Sequence, residues 1–208
     1  MGINLQKGQK IDLTKGGGGG LHQVMVGLGW DEAPRTSHGG LLGGLFGSQP
    51  EDIDCDASAI LCGADGKLAD PNNINNSVVY FGNLKHASGA IVHQGDNLTG
   101  AGDGDDEQIM VNLPRIPSYV DKVVFVVNIY RARQRNQHFG MIRNAFIRLV
   151  DMDRGTEICK FNLSENYNNM TGLVVGEIYR KNGEWKFNAI GQPVQEASVL
   201  ESLVNLYR

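Results

Sequence analysis

The sequence predicts a mainly β (α+β) protein, a two-sheet β-sandwich with a few short peripheral helices and a C-terminal helix. Short runs of β-branched and aromatic residues recur along the chain, turn-forming residues separate them, and long helical patterns are rare. The 208 residues, 41% hydrophobic and 20% charged, have the composition of an ordinary globular protein. We expect a single domain over residues 1–208.

Nine segments carry the strand signal. Alternate residues of a strand face opposite sides of a sheet, and 109–113 shows this with three apolar residues on one side. Asn182-Gly183 separates two of the segments, and this dipeptide readily supplies the positive φ of a tight hairpin turn. The predicted strands are 3–5, 11–13, 24–30, 78–81, 109–113, 123–130, 145–150, 173–179 and 184–190.

One helix is predicted near the C-terminus. Residues 198–201, Ser-Val-Leu-Glu, fit a capping box, in which the two polar side chains satisfy backbone N–H groups at the start of a helix. Apolar residues recur on one face after Ser198, so this helix should cover the sandwich as a lid. We expect a turn-rich or helical stretch around 163–169, and a loop or short helix over 131–144.

Negative charge is concentrated in one part of the chain. The net charge is −4, but residues 51–107 hold 11 acidic and 2 basic residues, while 108–208 hold 9 acidic and 13 basic ones. The acidic region favours a cation as partner and disfavours nucleic acid. Segment 131–148 carries five arginines with few stacking aromatics, so an ordinary basic face or internal ion pairs explain it best.

Cysteine usage and hydropathy indicate the compartment. Cys55, Cys62 and Cys159 have no CxxC spacing, which favours free thiols in a reducing environment. The longest apolar run, 123–127, is too short for a membrane helix, and the first ten residues lack the apolar core of a signal peptide. We therefore expect a cytoplasmic protein, with peripheral attachment at the inner membrane face as an alternative.

The segment GDNLTGAGDGDDE, residues 95–107, contains no basic residue among its carboxylates. A hard cation such as calcium binds about six to eight carboxylate and carbonyl oxygens and tolerates irregular, glycine-rich loops. An EF-hand is excluded, since Leu98 and Gly100 stand where counting from Asp96 requires ligands. The segment is therefore a candidate calcium loop, and a solvated acidic loop is the alternative.

A second acidic cluster, EDIDCDASAIL, covers residues 51–61. Asp54 and Asp56 fall on the same side of an extended segment because alternate residues share a face. The two carboxylates are thus placed to chelate a cation as a pair. The alternative is a solvated strand end.

Other chemistry lacks a specific signal. The histidines show neither HExxH nor zinc-finger spacing, Ser58 is not in a GxSxG elbow, and the glycine-rich stretches 16–20 and 39–50 match no phosphate-binding loop. Cys55 stands between two aspartates, which disfavour its thiolate.

Six blocks of the sequence together form a recognisable pattern. They resemble, in order and over nearly the whole chain, the bacterial TerD family of tellurium-resistance and general stress proteins. This chain differs from the shortest members by a glycine-rich insertion at about 36–50. The blocks are VGLGWD (26–31), DCDASAIL (54–61), GNL (82–84), GDNLTGAGDGDDE (95–107), FGMIRNAFIR (139–148) and GEIYRKNGEWKFNAIGQ (176–192).

The resemblance implies a β-sandwich that binds calcium, more than one ion, in loops at one end. It implies a non-enzymatic stress-response protein that acts as a calcium-dependent interaction module. Its expected partners are other tellurium-resistance proteins or membrane-associated partners. The ligands carried over by motif are Asp54, Asp56, Asp96, Asn97, Asp105, Asp106 and Glu107, with Asp31, Asn83 and Asp103 as weaker candidates.

Two alternatives stay open from the sequence. A metal-dependent hydrolase would need a general base, and the sequence offers only His93, two residues before the acidic loop. Direct handling of tellurite would need reactive thiols, for which three scattered cysteines are weak support.

Overall fold

The computed structural model describes residues 2–14, 20–32, 52–95, 104–163, 167–195 and 200–208. Within them, twelve strands form two six-stranded sheets, with the order β1-β10-β9-β3-β7-β6 in sheet 1 and β2-β12-β11-β8-β4-β5 in sheet 2. The predicted β-sandwich is confirmed. The strands are β1 (Ile3–Leu5), β2 (Lys10–Asp12), β3 (Gln23–Glu32), β4 (Cys55–Cys62), β5 (Val78–Val79), β6 (Ile91–His93), β7 (Glu107–Asn112), β8 (Lys122–Ile129), β9 (Ile142–Asp151), β10 (Thr156–Asn162), β11 (Gly172–Lys181) and β12 (Glu184–Val194).

Helices are short in the described part of the chain. The two α-helices are α1 (Ala132–Arg135) and α2 (Leu200–Val204), and single 3-10 turns cover Ile74–Asn76, Leu113–Arg115, Phe139–Met141 and Asn205–Tyr207. The loop or short helix expected over 131–144 is confirmed up to Met141, as α1 followed by one 3-10 turn, whereas residues 142–144 already belong to β9. None of the described helices has the length and apolar character needed to cross a membrane.

Two hydrophobic clusters hold the fold together, one on each face of sheet 2. Along β8, Phe125 points into the main core between the sheets, while Val124 and Val126 point to the outer face. Leu203 and Val204 of α2 are buried against that outer face. The predicted C-terminal lid is thus confirmed, although Ser198 of its predicted cap lies outside the described residues.

Three strands escaped prediction for physical reasons. All eight residues of β4 are buried, because it has packing on both faces, so it shows no apolar/polar alternation. β6 has only three residues, and charged residues interrupt the apolar pattern of β10. The predicted strand 78–81 ends at Val79, because the chain turns back in a bridge between Tyr80 and Asn83.

The β11–β12 hairpin forms at the predicted dipeptide. Asn182 and Gly183 adopt φ values of 54° and 78°, and the strands pair from Lys181 and Glu184 onward. Both values lie in the left-handed region that asparagine and glycine tolerate best. The insertion at 36–50 and residues 164–166 of the expected turn-rich stretch lie outside the described residues.

The edges of the two sheets meet on one side of the sandwich. There β6 and β7 of sheet 1 pack beside β5 and β4 of sheet 2. β5 pairs only with Ala59 and Ile60, so the first half of β4 has no strand neighbour on that edge. The two acidic segments adjoin these edges. Segment 51–61 contains the start of β4, and segment 95–107 ends at the first residue of β7.

Candidate metal centre

The alternation of β4 separates its acidic residues from its core residues. Cys55 and Ala57 point into the main core, whereas Asp56 and Ser58 share the opposite face with Ile60. Asp54 and Asp56 are only 7% and 5% exposed. The alternative of a solvated strand end is therefore wrong, because both carboxylates are buried.

Asp106, near the end of acidic segment 95–107, is fixed to β3. Its backbone N–H donates to the carbonyl of Leu28 at 2.8 Å, and its Oδ2 accepts from the backbone N–H of Trp30 at 2.8 Å. Burial raises the pKa of Asp106, and the charges of Asp31 and Asp105 raise it further, against the opposing effect of the Trp30 hydrogen bond. The Asp106 carboxylate thus lies where positive charge would stabilise it.

Glu107 and His93 occupy the open edge of β4. Glu107 Oε2 accepts from the backbone N–H of Ala57 at 2.5 Å, and His93 Nε2 lies 3.2 Å from the Ala57 carbonyl oxygen. The N–H of Gly95 donates to His93 Nδ1, so Nε2 carries the ring proton and can donate to that carbonyl. It also lies 3.4 Å from Glu107 Oε2. Glu107 and His93 thus contact the backbone of β4 where no strand pairs with it, and they link sheet 1 to sheet 2.

Carboxylates of both acidic segments affect the Cys55 thiol. Burial raises the pKa of Cys55 well above its ordinary value, and four carboxylates raise it further. They come from both segments, in decreasing order of effect: Asp54, Asp56, Glu107 and Asp106. Residues about 50 positions apart in the chain therefore place negative charge in one region of the sandwich.

Asp105 has a different environment from its neighbours. Its two carboxylate oxygens accept from Nε and Nη2 of Arg148 at 2.7 and 2.9 Å, and its side chain is fully buried. Asp105 packs over Gly27 of β3, where a Cβ atom would overlap the carboxyl group. The pair lies on the outer face of sheet 1, since Gly27 and Arg148 are register partners there. Arg148 also approaches Glu157, so this arginine forms internal ion pairs, as the sequence favoured.

The remaining predicted ligands are dispersed. Asp31 accepts from Asn144 Nδ2 at 2.7 Å, near Asp106. Asn83 donates to the carbonyls of Asn75 and Val78, beside the second half of β4, so the structure does not bring it to the acidic segments. Among the described residues, no group of three or more His, Cys, Asp and Glu side chains is arranged to hold a metal ion. Asp96, Asn97 and Asp103 lie outside the described residues.

Sequence reasoning missed two polar residues beside Asp56. Asn128 is 2% exposed and donates from Nδ2 to Asp56 Oδ2 at 3.2 Å, and Ser58 is fully buried on the same face of β4. A signal for Asn128 existed, because an amide interrupts the apolar run VVFVVNI of β8. Ser58 gave no such signal, since serine is common in strands and turns alike.

The three cysteines are buried and free. Burial raises the pKa of Cys62 and of Cys159 to about 12, so all three thiols stay protonated near neutral pH. We expect an aromatic disulfide reagent to label none of them in the folded protein and all of them after unfolding. Rapid labelling of the native chain would contradict this environment.

Comparison with known proteins identifies the family. The TerD domain family model matches residues 1–207. The stress response protein SCP2 of Bacillus subtilis (strain 168) is 50% identical over 207 residues, which cover 100% of both chains. The tellurium resistance protein TerD of Serratia marcescens is 41% identical over 92% of this chain and 91% of its own.

A solved structure supports the fold. The crystal structure of a homologue of the telluride resistance protein (TerD) from Streptomyces coelicolor A3(2) superposes with a TM-score of 0.59 at 23% identity, over 85% of this chain and 92% of that one. At this identity the likeness concerns the sandwich architecture alone. Together with the matches over nearly the full length, these findings show that the chain belongs to the TerD family of tellurium-resistance and general stress proteins.

Proposed function

We propose that this chain is a calcium-binding, non-enzymatic stress-response protein that acts as a calcium-dependent interaction module. The observation that supports this most directly is that the two acidic segments meet at β4: the buried Asp54 and Asp56 lie beside Ala57, whose backbone N–H donates to Glu107 Oε2 at 2.5 Å. Buried carboxylates are costly unless a positive charge or strong hydrogen bonds compensate them. A calcium ion would supply that charge when bound.

The donor chemistry fits calcium. The acidic segments offer carboxylate, amide, hydroxyl and backbone oxygens, and hard cations select oxygen ligands. We assign Asp54, Asp56 and Asp106 to ligation, together with Asp96, Asn97 and Asp103, which lie outside the described residues. Asp56 lies on β4 of sheet 2, whereas Asp106 hydrogen-bonds to β3 of sheet 1, and this separation supports a proposal of more than one ion.

Two residues of the predicted ligand set have another role in this proposal. Asp105 gives both its oxygens to Arg148, and Glu107 gives Oε2 to the Ala57 N–H. We therefore assign Asp105 and Glu107 to positioning: they fix the chain on either side of Asp106 to sheet 1 and to β4.

The environments of His93 and the thiols make the two alternatives less favourable. A hydrolase would need His93 as a base, but His93 is 2% exposed, and its two ring nitrogens face Gly95 N–H and the Ala57 carbonyl. Tellurite chemistry at the cysteines would need thiolates, which burial disfavours at all three positions.

Calcium would also change what the acidic end presents to a partner. Residues 51–107 carry 11 acidic against 2 basic residues, so each bound ion removes two units from a strongly negative region. Binding of other tellurium-resistance proteins or of membrane-associated partners would then depend on calcium. The names of the relatives, which refer to stress and tellurium resistance, are consistent with such a role.

Thermal unfolding of the chelator-stripped protein tests the calcium proposal. A ligand that binds only the folded state stabilises it by about 2.7 kcal/mol when its free concentration is 100 times Kd. For a chain of this size we expect Tm to rise by roughly 5–11 °C. Excess chelator should reverse the shift. An unchanged Tm in millimolar calcium would contradict the proposal.

A further inference from the structure

A buried polar group lies on the face of sheet 2 opposite the main core. Asp56 of β4 stands directly across from Asn128 of β8, and Ser58 is the next residue on the same face of β4. Directly opposite and diagonal residues of adjacent strands are close enough for their side chains to meet. Asp56, Ser58 and Asn128 are 5%, 0% and 2% exposed. The three side chains therefore form one buried group among apolar neighbours.

Two oxygens of this group are left without a partner among the described residues. They are the amide oxygen Oδ1 of Asn128 and the hydroxyl oxygen Oγ of Ser58. The Asn128 amide is already oriented by its Nδ2, which donates to Asp56 Oδ2 at 3.2 Å. Buried polar atoms in native proteins nearly always have a partner, so two such atoms beside a buried carboxylate point to a missing ligand.

We infer that Asn128 Oδ1 and Ser58 Oγ are neutral ligands of a divalent cation that Asp56 binds on this face of sheet 2. The inference rests on the proposed calcium function and adds two residues to its ligand set: Asn128, which lies outside both acidic segments, and Ser58, a neutral residue of segment 51–61. Calcium combines carboxylates with amide and hydroxyl oxygens in a single coordination sphere, so this donor set suits it. A bound water that hydrogen-bonds both oxygens is the alternative, and it predicts unchanged calcium affinity in the variants described below.

A second asparagine provides a matched control. Asn188 also donates from Nδ2 to a carboxylate, Glu177 Oε1 at 3.0 Å, and its Oδ1 is likewise buried without a partner among the described residues. There, however, Lys122 Nζ lies 3.1 Å from Glu177 Oε2 and supplies the positive charge. Asn188→Leu thus removes the same chemical group from a site where no cation is expected.

The test is calorimetric titration of chelator-stripped protein with calcium chloride, using the parent, Asn128→Leu, Ser58→Ala and Asn188→Leu. Loss even of residues that only support metal ligands weakens metal binding roughly 10- to 100-fold. We expect at least about a tenfold rise in Kd for one calcium ion in Asn128→Leu and in Ser58→Ala. Asn188→Leu should bind like the parent. Calcium-free Tm values check that each variant folds.

A charge-adding variant separates ligation from a structural role. In Asn128→Asp a second carboxylate faces Asp56, so the calcium-free protein should unfold at a lower temperature than the parent. Calcium should then raise its Tm by more than it raises that of the parent, because the new ligand is charged. If Asn128 has only a structural role, the calcium-free Tm of Asn128→Asp should fall, but calcium should raise its Tm no more than it raises that of the parent.

The outcomes distinguish this inference from the proposed function. If the parent binds calcium while Ser58→Ala and Asn128→Leu bind it with unchanged affinity, Asn128 and Ser58 are not ligands, and only the present inference is overturned. If the parent itself does not bind calcium, the proposed function fails. Should Asn128→Leu fail to fold, Ser58→Ala and Asn128→Asp decide the question alone.

Discussion

Replacing Arg148 with methionine is expected to lower the free energy of unfolding by about 3 kcal/mol. Arg148 holds both oxygens of Asp105, whose side chain is fully buried, so the variant leaves a buried carboxylate without its counter-charge. Losses of about 3–5 kcal/mol are typical for this change, and Arg148 is 32% exposed, which favours the lower end. Tm should fall by roughly 6–12 °C in a calcium-free thermal unfolding experiment.

Two further variants control for the loss of a surface charge. Lys160 is the register partner of Arg148 on β10, and its Nζ lies 3.7 Å from the centre of the Phe146 ring. Lys160→Met should cost only about 0.5–1 kcal/mol, the usual contribution of an exposed cation–π contact. The double variant Arg148→Met with Asp105→Leu should recover most of the lost stability. Equal losses in Arg148→Met and Lys160→Met would contradict the role given to the Asp105 pair.

Asp56→Asn is expected to have opposite effects with and without calcium. Two unit charges about 4 Å apart repel by roughly 1 kcal/mol in water and 4 kcal/mol at the effective dielectric of a protein surface. Removing one of the four charges around Cys55 should therefore stabilise the calcium-free protein by about 1 kcal/mol. The same change should weaken calcium binding at least about tenfold, by comparison with the loss of residues that support metal ligands. Thermal unfolding in chelator and in calcium measures both effects.

Glu201 supplies the control for general charge effects. Its side chain is 70% exposed on α2, and among the described residues it makes one long ion contact, of 3.9 Å to Arg208. Glu201→Gln changes the net charge by the same amount as Asp56→Asn, and it should alter neither calcium-free stability nor calcium response. A lower calcium-free Tm in Asp56→Asn would mean that the charge of this residue stabilises the fold without metal.

The sequence predicted the parts of the fold that local physics determines. Asn182-Gly183 marked the β11–β12 hairpin because few other dipeptides adopt two positive φ values easily. The apolar run of β8 and the amphipathic pattern of the C-terminal helix predicted those two elements equally clearly. β4 was not recognised as a full strand, because burial on both faces removes the alternation that identifies most strands.

The candidate site was predictable only in part, since its arrangement depends on distant segments. Both acidic segments were found, and the hydrogen bond from the Ala57 N–H to Glu107 Oε2 joins their described parts. Their acidic side chains, however, contact different partners on the two sheets. Asp105 meets Arg148, 43 positions along the chain, and Asp56 meets Asn128, 72 positions along. Strand pairing determines these contacts, and no local pattern reveals them.

Calorimetric titration of the chelator-stripped chain with calcium, and separately with magnesium, tests the central claim most directly. Magnesium demands a smaller and more regular octahedral site than calcium, so a calcium site should discriminate between the two ions. We expect calcium binding by the parent, weaker binding by Asp54→Asn and Asp56→Asn, and little response to magnesium. No calcium binding by the parent would contradict the claim that a cation balances the charge of the acidic segments.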